Sequence, residues 1–358
     1  MRYKHPGKTR LSPGWAHGAA VLGAVAAIGM VRPAAAFTIN PIYDSSITAL
    51  SNAASIESAF NTVAGDFASA LAGNQVINVG VSWGSVGGYA LPGNALGASL
   101  DNLYGYFSYS SIKNSLIQAA RNAPSNTALA TAVAHLPAAA PSGASQYVVP
   151  SAEAKALGLI SPTQAGLDGS VGFAGNVANY SFTPAGAVAS RTFDFQAVAA
   201  HELSEVLGRV TGLTSASPSY RTVFDLFRYS APGTLDFGYN DTAYFSIDGG
   251  RTNLCAFNNS SSGGDRSDWA SGGTCADVQD AFIAPGQALD LTAADLTSLD
   301  VLGYGGSNLG DTNAAPTTVA FHLIDVPEPG SLLLLLTGIL AILAAPSRKG
   351  RGGHTCAG

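Results

Sequence analysis

Lysine is nearly missing from the middle of this sequence, and charged residues of either sign are few. Charged side chains make up 11% of the 358 residues, and the only lysines between Phe37 and Asp325 are Lys113 and Lys155. The same span holds nine basic and 22 acidic residues, which gives it a formal charge of −13. An acidic chain with no basic cluster is poorly suited to bind nucleic acids or anionic lipids, so we expect neither as a partner.

The first 36 residues have the three parts of a secretory signal peptide. Four of the first ten residues are basic, an apolar run extends from about Ala19 to Val31, and the small residues 34–36 follow it. The apolar run is well short of the ~20 residues that span a bilayer, which argues against an N-terminal membrane anchor. We therefore predict cleavage before Phe37 and export of the rest of the chain.

The C-terminal end carries a second targeting pattern. Residues 326–329, Val-Pro-Glu-Pro, precede an apolar run over residues 331–345 and then the basic residues Arg348, Lys349 and Arg351. This order resembles the PEP-CTERM sorting signal of exopolysaccharide-producing Gram-negative bacteria, which combines a Pro-Glu-Pro motif, one membrane helix and a basic cytoplasmic end.

A basic tail after an apolar segment also orients the segment with its end in the cytoplasm. The resemblance implies that residues 326–358 form a sorting signal with one transmembrane segment, preceded by a linker over residues 311–325. An exosortase would process it, so the protein would cross the inner membrane, stay anchored there transiently and reach the cell surface or the exterior. A plain C-terminal membrane anchor is the alternative.

Cysteine is also scarce, with only Cys255, Cys275 and Cys356 in the whole sequence. Cys356 lies beyond the apolar tail and would be lost with it. The other two would meet an oxidising compartment after export, where we expect them to form a disulfide. The bond would close a loop of about 20 residues and contribute about 3 kcal/mol to stability.

Between the two ends, apolar spacing predicts a mixture of helices and strands. Helical spacing covers residues 45–72, 109–121 and 125–135, and strand patterns cover residues 75–83, 169–173, 223–229 and 244–247. Asp194 can cap a helix that begins at about Phe195, and a capping box over residues 292–295 opens a helix that ends at Gly303. This order predicts one α+β domain over residues 37–310, with a mixed sheet and a loop-rich C-terminal half.

Residues 201–209, His-Glu-Leu-Ser-Glu-Val-Leu-Gly-Arg, place two candidate metal ligands on one helix face. At about 100° per residue, His201, Glu205 and Gly208 share that face, while the opposite face is apolar. Two ligands four residues apart on a helix converge on one ion, and a neutral imidazole and a carboxylate both bind zinc. Glu202 lies beside this face, where it can accept the proton of a zinc-bound water and pass it to the leaving amine.

The same residues also have an interpretation without a metal. Glu205 and Arg209 are four residues apart, in the favourable orientation for an exposed helix ion pair worth about 0.2–0.5 kcal/mol. The motif would then be an ordinary polar helix. The sequence contains no Ser/His/Asp order, phosphate-binding glycine loop or EF-hand pattern that would indicate another chemistry.

Residues 193–208 resemble the active-site helix of the matrixin-type zincins, or metzincins. Their pattern is His-Glu-x-x-His-x-x-Gly-x-x-His/Asp, and His201, Glu202 and Gly208 match it. The resemblance implies a zincin-like fold in which His201 binds zinc, Glu202 is the general base and Gly208 ends the helix. Residues 291–304 are similar to the C-terminal helix of that family.

Most of residues 75–304 also resemble a group of PEP-CTERM proteins described as metalloproteases, in which this nine-residue motif replaces the metzincin helix. The departures from the metzincin pattern concern the metal ligands. Glu205 stands where that family has a second histidine, and Thr211, a poor zinc ligand, stands at the position of the third. The methionine turn of the family cannot form, because the only methionines are Met1 and Met30.

A carboxylate from elsewhere is therefore the expected third ligand, and Asp225 is the first candidate because it follows the motif helix closely. The alternative is a structural aspartate paired with Arg221 or Arg228. A His/Glu/Asp ligand set would cancel the +2 charge of zinc and make it a weaker Lewis acid. Asp265 and Asp268, in the Gly/Ser-rich loop between the two cysteines, form either a weak Ca²⁺ site or a solvated loop.

The sequence thus predicts a secreted zinc metallopeptidase in which His201, Glu205 and Asp225 hold Zn²⁺ and Glu202 activates the water. Its partners would be a protein or peptide substrate, the exosortase and, before processing, the inner membrane. The competing hypothesis is a non-catalytic extracellular matrix or surface protein on a degenerate zincin scaffold. The presence and identity of the third ligand decide between these hypotheses.

Overall fold

A computed structural model describes residues 36–91, 95–142, 146–183, 188–214, 220–261, 263–289 and 291–305. The predicted signal peptide, except for its last residue, and the predicted linker and sorting signal lie outside these residues. Within the ranges that are described, no helix is both long and apolar enough to cross a bilayer.

The described residues form both strands and helices, interspersed along the chain. The strands are β1 (Thr38–Tyr43), β2 (Val76–Trp83), β3 (Ser85–Val86), β4 (Tyr89–Ala90), β5 (Gly97–Asp101), β6 (Leu103–Phe107), β7 (Gln146–Pro150), β8 (Gly169–Phe173), β9 (Tyr180–Ser181), β10 (Phe193–Asp194), β11 (Tyr220–Thr222), β12 (Arg228–Ala231), β13 (Thr234–Leu235), β14 (Tyr244–Phe245) and β15 (Cys255–Ala256). The α-helices are α1 (Ser45–Thr48), α2 (Ala53–Ala70), α3 (Tyr109–Asn122), α4 (Thr127–His135), α5 (Ser151–Ala156), α6 (Phe195–Val206) and α7 (Ala293–Asp300). Two 3₁₀ helices span Val177–Asn179 and Phe224–Phe227.

A four-stranded mixed sheet with the order β1-β2-β8-β5 forms the base of the fold. The strands β1, β2 and β8 run parallel, whereas β5 runs antiparallel to β8 at the edge, from Gly97 opposite Phe173 to Asp101 opposite Gly169. The helix α6 packs against β5 and β8, and it also contacts α2, which packs against β1. Both helices therefore lie on the same face of the sheet.

Aromatic side chains fill the space between this sheet and the start of α6. The ring of Phe195 lies 4.4 Å from that of Phe173 and 6.1 Å from that of Trp83, measured between centroids. Phe195 and Phe173 are fully buried. Burying each large apolar side chain contributes about 1.5–3 kcal/mol, so this cluster fixes the position of α6 on the sheet.

The C-terminal half consists mainly of small sheets and loops. An antiparallel sheet in this half has the order β13-β12-β14-β15, and β11 joins the earlier strands β7 and β6 in a sheet with the order β11-β7-β6. Cys255 on β15 forms a disulfide with Cys275, with 5.6 Å between their Cα atoms, so the predicted pairing is confirmed. This cross-link closes the segment that contains residues 256–274.

Most of the predicted elements are confirmed, and the class is α+β as expected. The helical pattern over residues 45–72 forms two helices, α1 and α2, and the capping box before α7 is present. The predicted strand over residues 223–229 is wrong, because Phe224–Phe227 form a 3₁₀ helix and only the last two residues belong to β12. The segment is buried throughout, and a short apolar run has no periodicity that separates a strand from a helix.

Candidate metal centre

The motif helix α6 lies inside the protein and is capped at both ends. The Asp194 carboxylate accepts a hydrogen bond of 2.8 Å from the backbone N–H of Gln196, which confirms the predicted N-cap. Gly208 ends the helix with φ = 105°, a conformation that glycine adopts without strain. A Cβ atom at this position would also lie 3.0 Å from the Cβ of Glu153. Glycine is thus required here by the backbone and by the close packing of α5.

His201 and Glu205 meet a third side chain, that of Asp268. The Nε2 atom of His201 lies 3.9 Å from Oε1 of Glu205 and 3.7 Å from Oδ1 of Asp268. One ligand atom from each residue lies within 4.8 Å of the other two. These separations are too long for hydrogen bonds. They are close to the spacing of about 3.4 Å between two ligands that each lie about 2.1 Å from a tetrahedral ion.

The imidazole of His201 is oriented as a metal ligand. Its Nδ1 atom lies 3.0 Å from the carbonyl oxygen of Val278. Because a carbonyl only accepts hydrogen bonds, Nδ1 carries the hydrogen and Nε2 keeps its lone pair. A hydrogen bond from the second ring nitrogen is the usual support of a metal-bound histidine.

The two carboxylates are held in the same way, each by one of its oxygens. Glu205 Oε2 accepts a hydrogen bond of 2.7 Å from the Ser99 hydroxyl on β5, and Asp268 Oδ2 accepts one of 2.8 Å from the backbone N–H of Asp265. The other oxygens, Glu205 Oε1 and Asp268 Oδ1, are buried and have no hydrogen-bond partner.

Nε2 of His201 is likewise buried with no hydrogen-bond partner, so three such atoms face one another. An unsatisfied buried polar atom costs about 1–3 kcal/mol. A divalent cation would satisfy all three at once, and this set of donors therefore fits zinc.

The electrostatics of the three residues fit a cation as well. Burial lowers the pKa of His201, which keeps the imidazole neutral and able to coordinate. Burial raises the pKa of Glu205, and it raises the pKa of Asp268 to about 7, because each carboxylate loses its hydration. Two ionised carboxylates and one neutral imidazole would balance the charge of a divalent ion.

Glu202 follows His201 on α6 and lies under β5, the edge strand of the main sheet. It is fully buried, and a Cβ atom at position 97 on β5 would overlap its Oε1 atom and lie 2.6 Å from Cγ1 of Val198. Only glycine at position 97 therefore lets β5 pass this close to the carboxylate. Glu202 is not one of the three converging side chains.

Asp225, the expected third ligand, is not brought to this group. Its Oδ1 atom accepts a hydrogen bond from the Thr211 hydroxyl, and its Oδ2 atom accepts bonds of 3.0 Å and 2.9 Å from the backbone N–H groups of Gly212 and Thr222. Both of its oxygens are thus used in fixing the loop that follows α6. Asp268, rather than Asp225, is the carboxylate that converges with His201 and Glu205.

The segment around Asp268 differs from both interpretations that the sequence allowed. Asp268 is 1% exposed rather than solvated, and Asp265 is not part of the converging group that would be needed for the suggested Ca²⁺ site. The aspartate lies far from the helix motif in sequence, so no spacing rule connects them. The signal that was available is its position between two cysteines that form a disulfide.

The interpretation of Glu205 and Arg209 as an exposed ion pair is wrong. Both residues are fully buried. The Arg209 guanidinium carbon lies 4.1 Å from the centroid of the Trp269 ring, and the side chain donates a hydrogen bond to the Gln279 side chain. The polar face of α6 is therefore covered by the segment that contains Asp268.

Comparisons with protein-family models, with curated proteins and with solved structures found no match to this chain.

Proposed function

We propose that this protein is an exported zinc metallopeptidase with a zincin-like domain, in which His201, Glu205 and Asp268 hold the ion. The observation that carries the proposal is the convergence of three buried, otherwise unpartnered ligand atoms. The remaining polar atom of each side chain is also held by a hydrogen bond, which His201 donates and the two carboxylates accept. Three ligands rather than four are typical of catalytic zinc, because structural sites use four protein ligands.

A bound zinc ion supplies a water that ionises near neutral pH and a centre that polarises a carbonyl. Glu202 follows His201 on α6 and is the residue that we assign as the general base. Its carboxylate accepts a proton from the attacking water and donates it to the leaving amine. The two ligand carboxylates give the ion less positive character than three histidines would, so we expect slow hydrolysis.

The burial of the centre favours a second candidate function, in which the metal ion only stabilises the fold of a non-catalytic protein. His201, Glu205, Asp268 and Glu202 are each at most 1% exposed. A peptide would reach them only after a covering segment moved. A non-catalytic surface protein built on a degenerate zincin scaffold remains the second candidate for this reason.

The ends of the sequence and the disulfide support the cellular part of the proposal. The signal peptide pattern and the PEP-CTERM resemblance indicate export, transient anchoring in the inner membrane and processing by an exosortase. The Cys255–Cys275 disulfide fits an oxidising compartment. A protein or peptide outside the cytoplasm would be the substrate.

Zinc content and casein hydrolysis of the exported protein, measured for the unsubstituted chain and for Glu202→Ala, test the proposal. We expect one zinc per chain in both proteins and hydrolysis only in the unsubstituted one, because Glu202 is not a ligand. Zinc without hydrolysis in the unsubstituted chain would favour the structural metal. A chain that takes up no zinc from a metal-containing buffer would refute the metal centre and the peptidase, and would leave the non-catalytic surface protein as the candidate.

A further inference from the structure

We propose that Arg209 is a positioning residue for the metal centre, which holds the segment that supplies the third ligand. The inference rests on the proposed function, because it assumes that His201, Glu205 and Asp268 bind the ion. It goes further by naming the side chain that keeps Asp268 on the ligand face of α6.

Arg209 contacts the residues that follow Asp268 and Val278 in the chain, and its guanidinium also lies 5.2 Å from the centroid of the Phe224 ring. Its guanidinium lies 4.1 Å over the ring of Trp269, which follows Asp268 in the chain. Its Nη1 group donates a hydrogen bond to the side chain of Gln279, which follows Val278. Arg209 thus contacts the residue after Asp268, the third ligand, and the residue after Val278, whose carbonyl orients His201.

Trp269 and Gln279, the two residues that Arg209 contacts, are joined by a backbone hydrogen bond. The N–H of Trp269 donates a hydrogen bond of 2.7 Å to the carbonyl of Gln279, and the N–H of Ala281 donates one of 3.0 Å to the carbonyl of Trp269. The indole N–H of Trp269 also donates a hydrogen bond of 3.1 Å to Asp295 at the start of α7. A shift of Trp269 would therefore move Asp268 and Val278 together.

Arg209 is fully buried, so its positive charge must be compensated by nearby groups. Removing a guanidinium from water costs several kcal/mol unless anionic groups compensate it. The carboxylates that act on Arg209 include both ligand carboxylates, Glu205 and Asp268, as well as Asp277 and Asp295. Two of the carboxylates that compensate the buried guanidinium are thus the ligands Glu205 and Asp268.

A substitution that keeps the charge but removes the planar guanidinium separates a positioning role of Arg209 from an effect of its charge. A lysine at position 209 would keep the positive charge but would lack the flat group that stacks on Trp269 and the rigidly oriented Nη1 donor that reaches Gln279. The substitution Arg209→Lys therefore removes the two contacts that hold the segment and conserves the formal charge of the centre.

The test is a double-mutant cycle on zinc affinity, measured with the exported full chain in detergent by competition with a chromophoric chelator. Loss of a residue that orients a metal ligand weakens binding about 10- to 100-fold. We expect Arg209→Lys to weaken zinc binding by about tenfold in the unsubstituted background. In an Asp268→Asn background we expect it to weaken binding by about threefold or less, because the ligand that it positions is already lost.

The buried arginine Arg221 provides the matched control, because its guanidinium stacks on the ring of Phe237 at 5.2 Å and Arg221 is not one of the converging ligands. Arg221→Lys should leave the zinc dissociation constant unchanged. The visible spectrum of bound Co²⁺, which reports the folded and loaded protein alone, should change for Arg209→Lys and not for Arg221→Lys.

Two results would overturn the positioning role: an equal loss of zinc affinity in both backgrounds, or no loss at all. A failure of the proposed peptidase would look different. The unsubstituted chain would then bind zinc and show the coupling between Arg209 and Asp268 but would not hydrolyse casein. Absence of zinc binding by the unsubstituted chain would refute the metal centre and the positioning role together.

Discussion

Oδ1 of Asp268 lies 3.7 Å from Nε2 of His201, although the two residues come from distant parts of the chain. Neither atom has a hydrogen-bond partner, and the remaining polar atom of each side chain is used in a hydrogen bond. The lone pairs of these two atoms are therefore available to one common ion. Oε1 of Glu205, one turn further along α6, is the third atom of the group.

Removal of the Asp268 carboxylate should abolish tight zinc binding. We expect Asp268→Ala to weaken zinc affinity by more than about 100-fold, because loss of a direct ligand exceeds the 10- to 100-fold effect of an outer partner. Isothermal titration with zinc measures the change. Asp225→Ala is the control, since this carboxylate fixes the loop after α6 through Thr211, Gly212 and Thr222.

The Asp225→Ala protein should lose stability, by about 1–3 kcal/mol for each buried donor left unpaired, and should still bind zinc when folded. A loss of zinc affinity in folded Asp225→Ala with normal affinity in Asp268→Ala would reverse our assignment of the third ligand.

The contrast between these two aspartates indicates how far sequence reasoning reaches in this protein. The helix with His201 and Glu205 is predictable because its cap, its apolar face and its terminal glycine are all local features. Asp225 is close to the helix in sequence, but Thr211 and two backbone N–H groups occupy its oxygens. Local spacing contains no information about that competition for the carboxylate.

Asp268 could not be identified from the motif for the opposite reason. Its place at the centre depends on the pairing of Trp269 with Gln279 and Ala281 and on the disulfide that closes its segment. These are long-range contacts, and a single sequence does not specify which distant segment covers a given helix face. The same limitation explains why Arg209 was expected on the surface.

Reduction of the disulfide should weaken the metal centre as well as the fold. The disulfide between Cys255 and Cys275 closes a loop that contains Asp268. Removing a disulfide that closes a loop of this size costs about 3 kcal/mol of stability. A Cys255→Ser/Cys275→Ser double variant should therefore unfold at lower denaturant concentration and bind zinc more weakly while folded. Denaturant titration with and without zinc measures both effects.

The remaining cysteine gives the matched control for this substitution. Cys356 is not part of the Cys255–Cys275 disulfide, so Cys356→Ser should change neither the denaturation midpoint nor the zinc affinity. An unchanged zinc affinity in the double variant would show that the backbone pairing around Trp269 holds Asp268 without the disulfide.

The stability of the metal-free protein should fall between about pH 4 and pH 6 because of Asp194. Burial raises the pKa of this N-cap carboxyl from 3.8 to about 6, although backbone N–H groups at the helix start oppose the shift. The folded state therefore binds the proton more tightly than the unfolded state does. Stability from this group is complete below about pH 4 and is lost as the pH rises to 6, up to about 3 kcal/mol.

Asp194→Asn separates this effect from the capping itself. Asparagine caps helices about as well as aspartate but does not titrate. The variant should thus be more stable than the unsubstituted chain above pH 6 and should lack this decline. Chemical denaturation at pH 4, 5, 6 and 7 provides the comparison, and parallel pH profiles of the two proteins would contradict the assignment to Asp194.

The close approach of Gly97 to Glu202 predicts a variant that separates catalysis from metal binding. In Gly97→Ala the new methyl group would overlap Glu202 Oε1 and press on Val198, so the carboxylate must move. Because Glu202 is not a ligand, we expect zinc affinity to stay within about threefold while casein hydrolysis falls about 100-fold or more, in line with the 10²–10⁴-fold contribution of a general base.

Some loss of stability should accompany the clash, about 1–3 kcal/mol as for other overpacked sites. Gly105→Ala on β6 is the control for adding a methyl group to a strand, since its Cβ would lie 3.4 Å from the Phe107 ring and far from any overlap. That variant should keep both zinc binding and hydrolysis. Full hydrolysis by Gly97→Ala would exclude Glu202, in the position described here, as the general base.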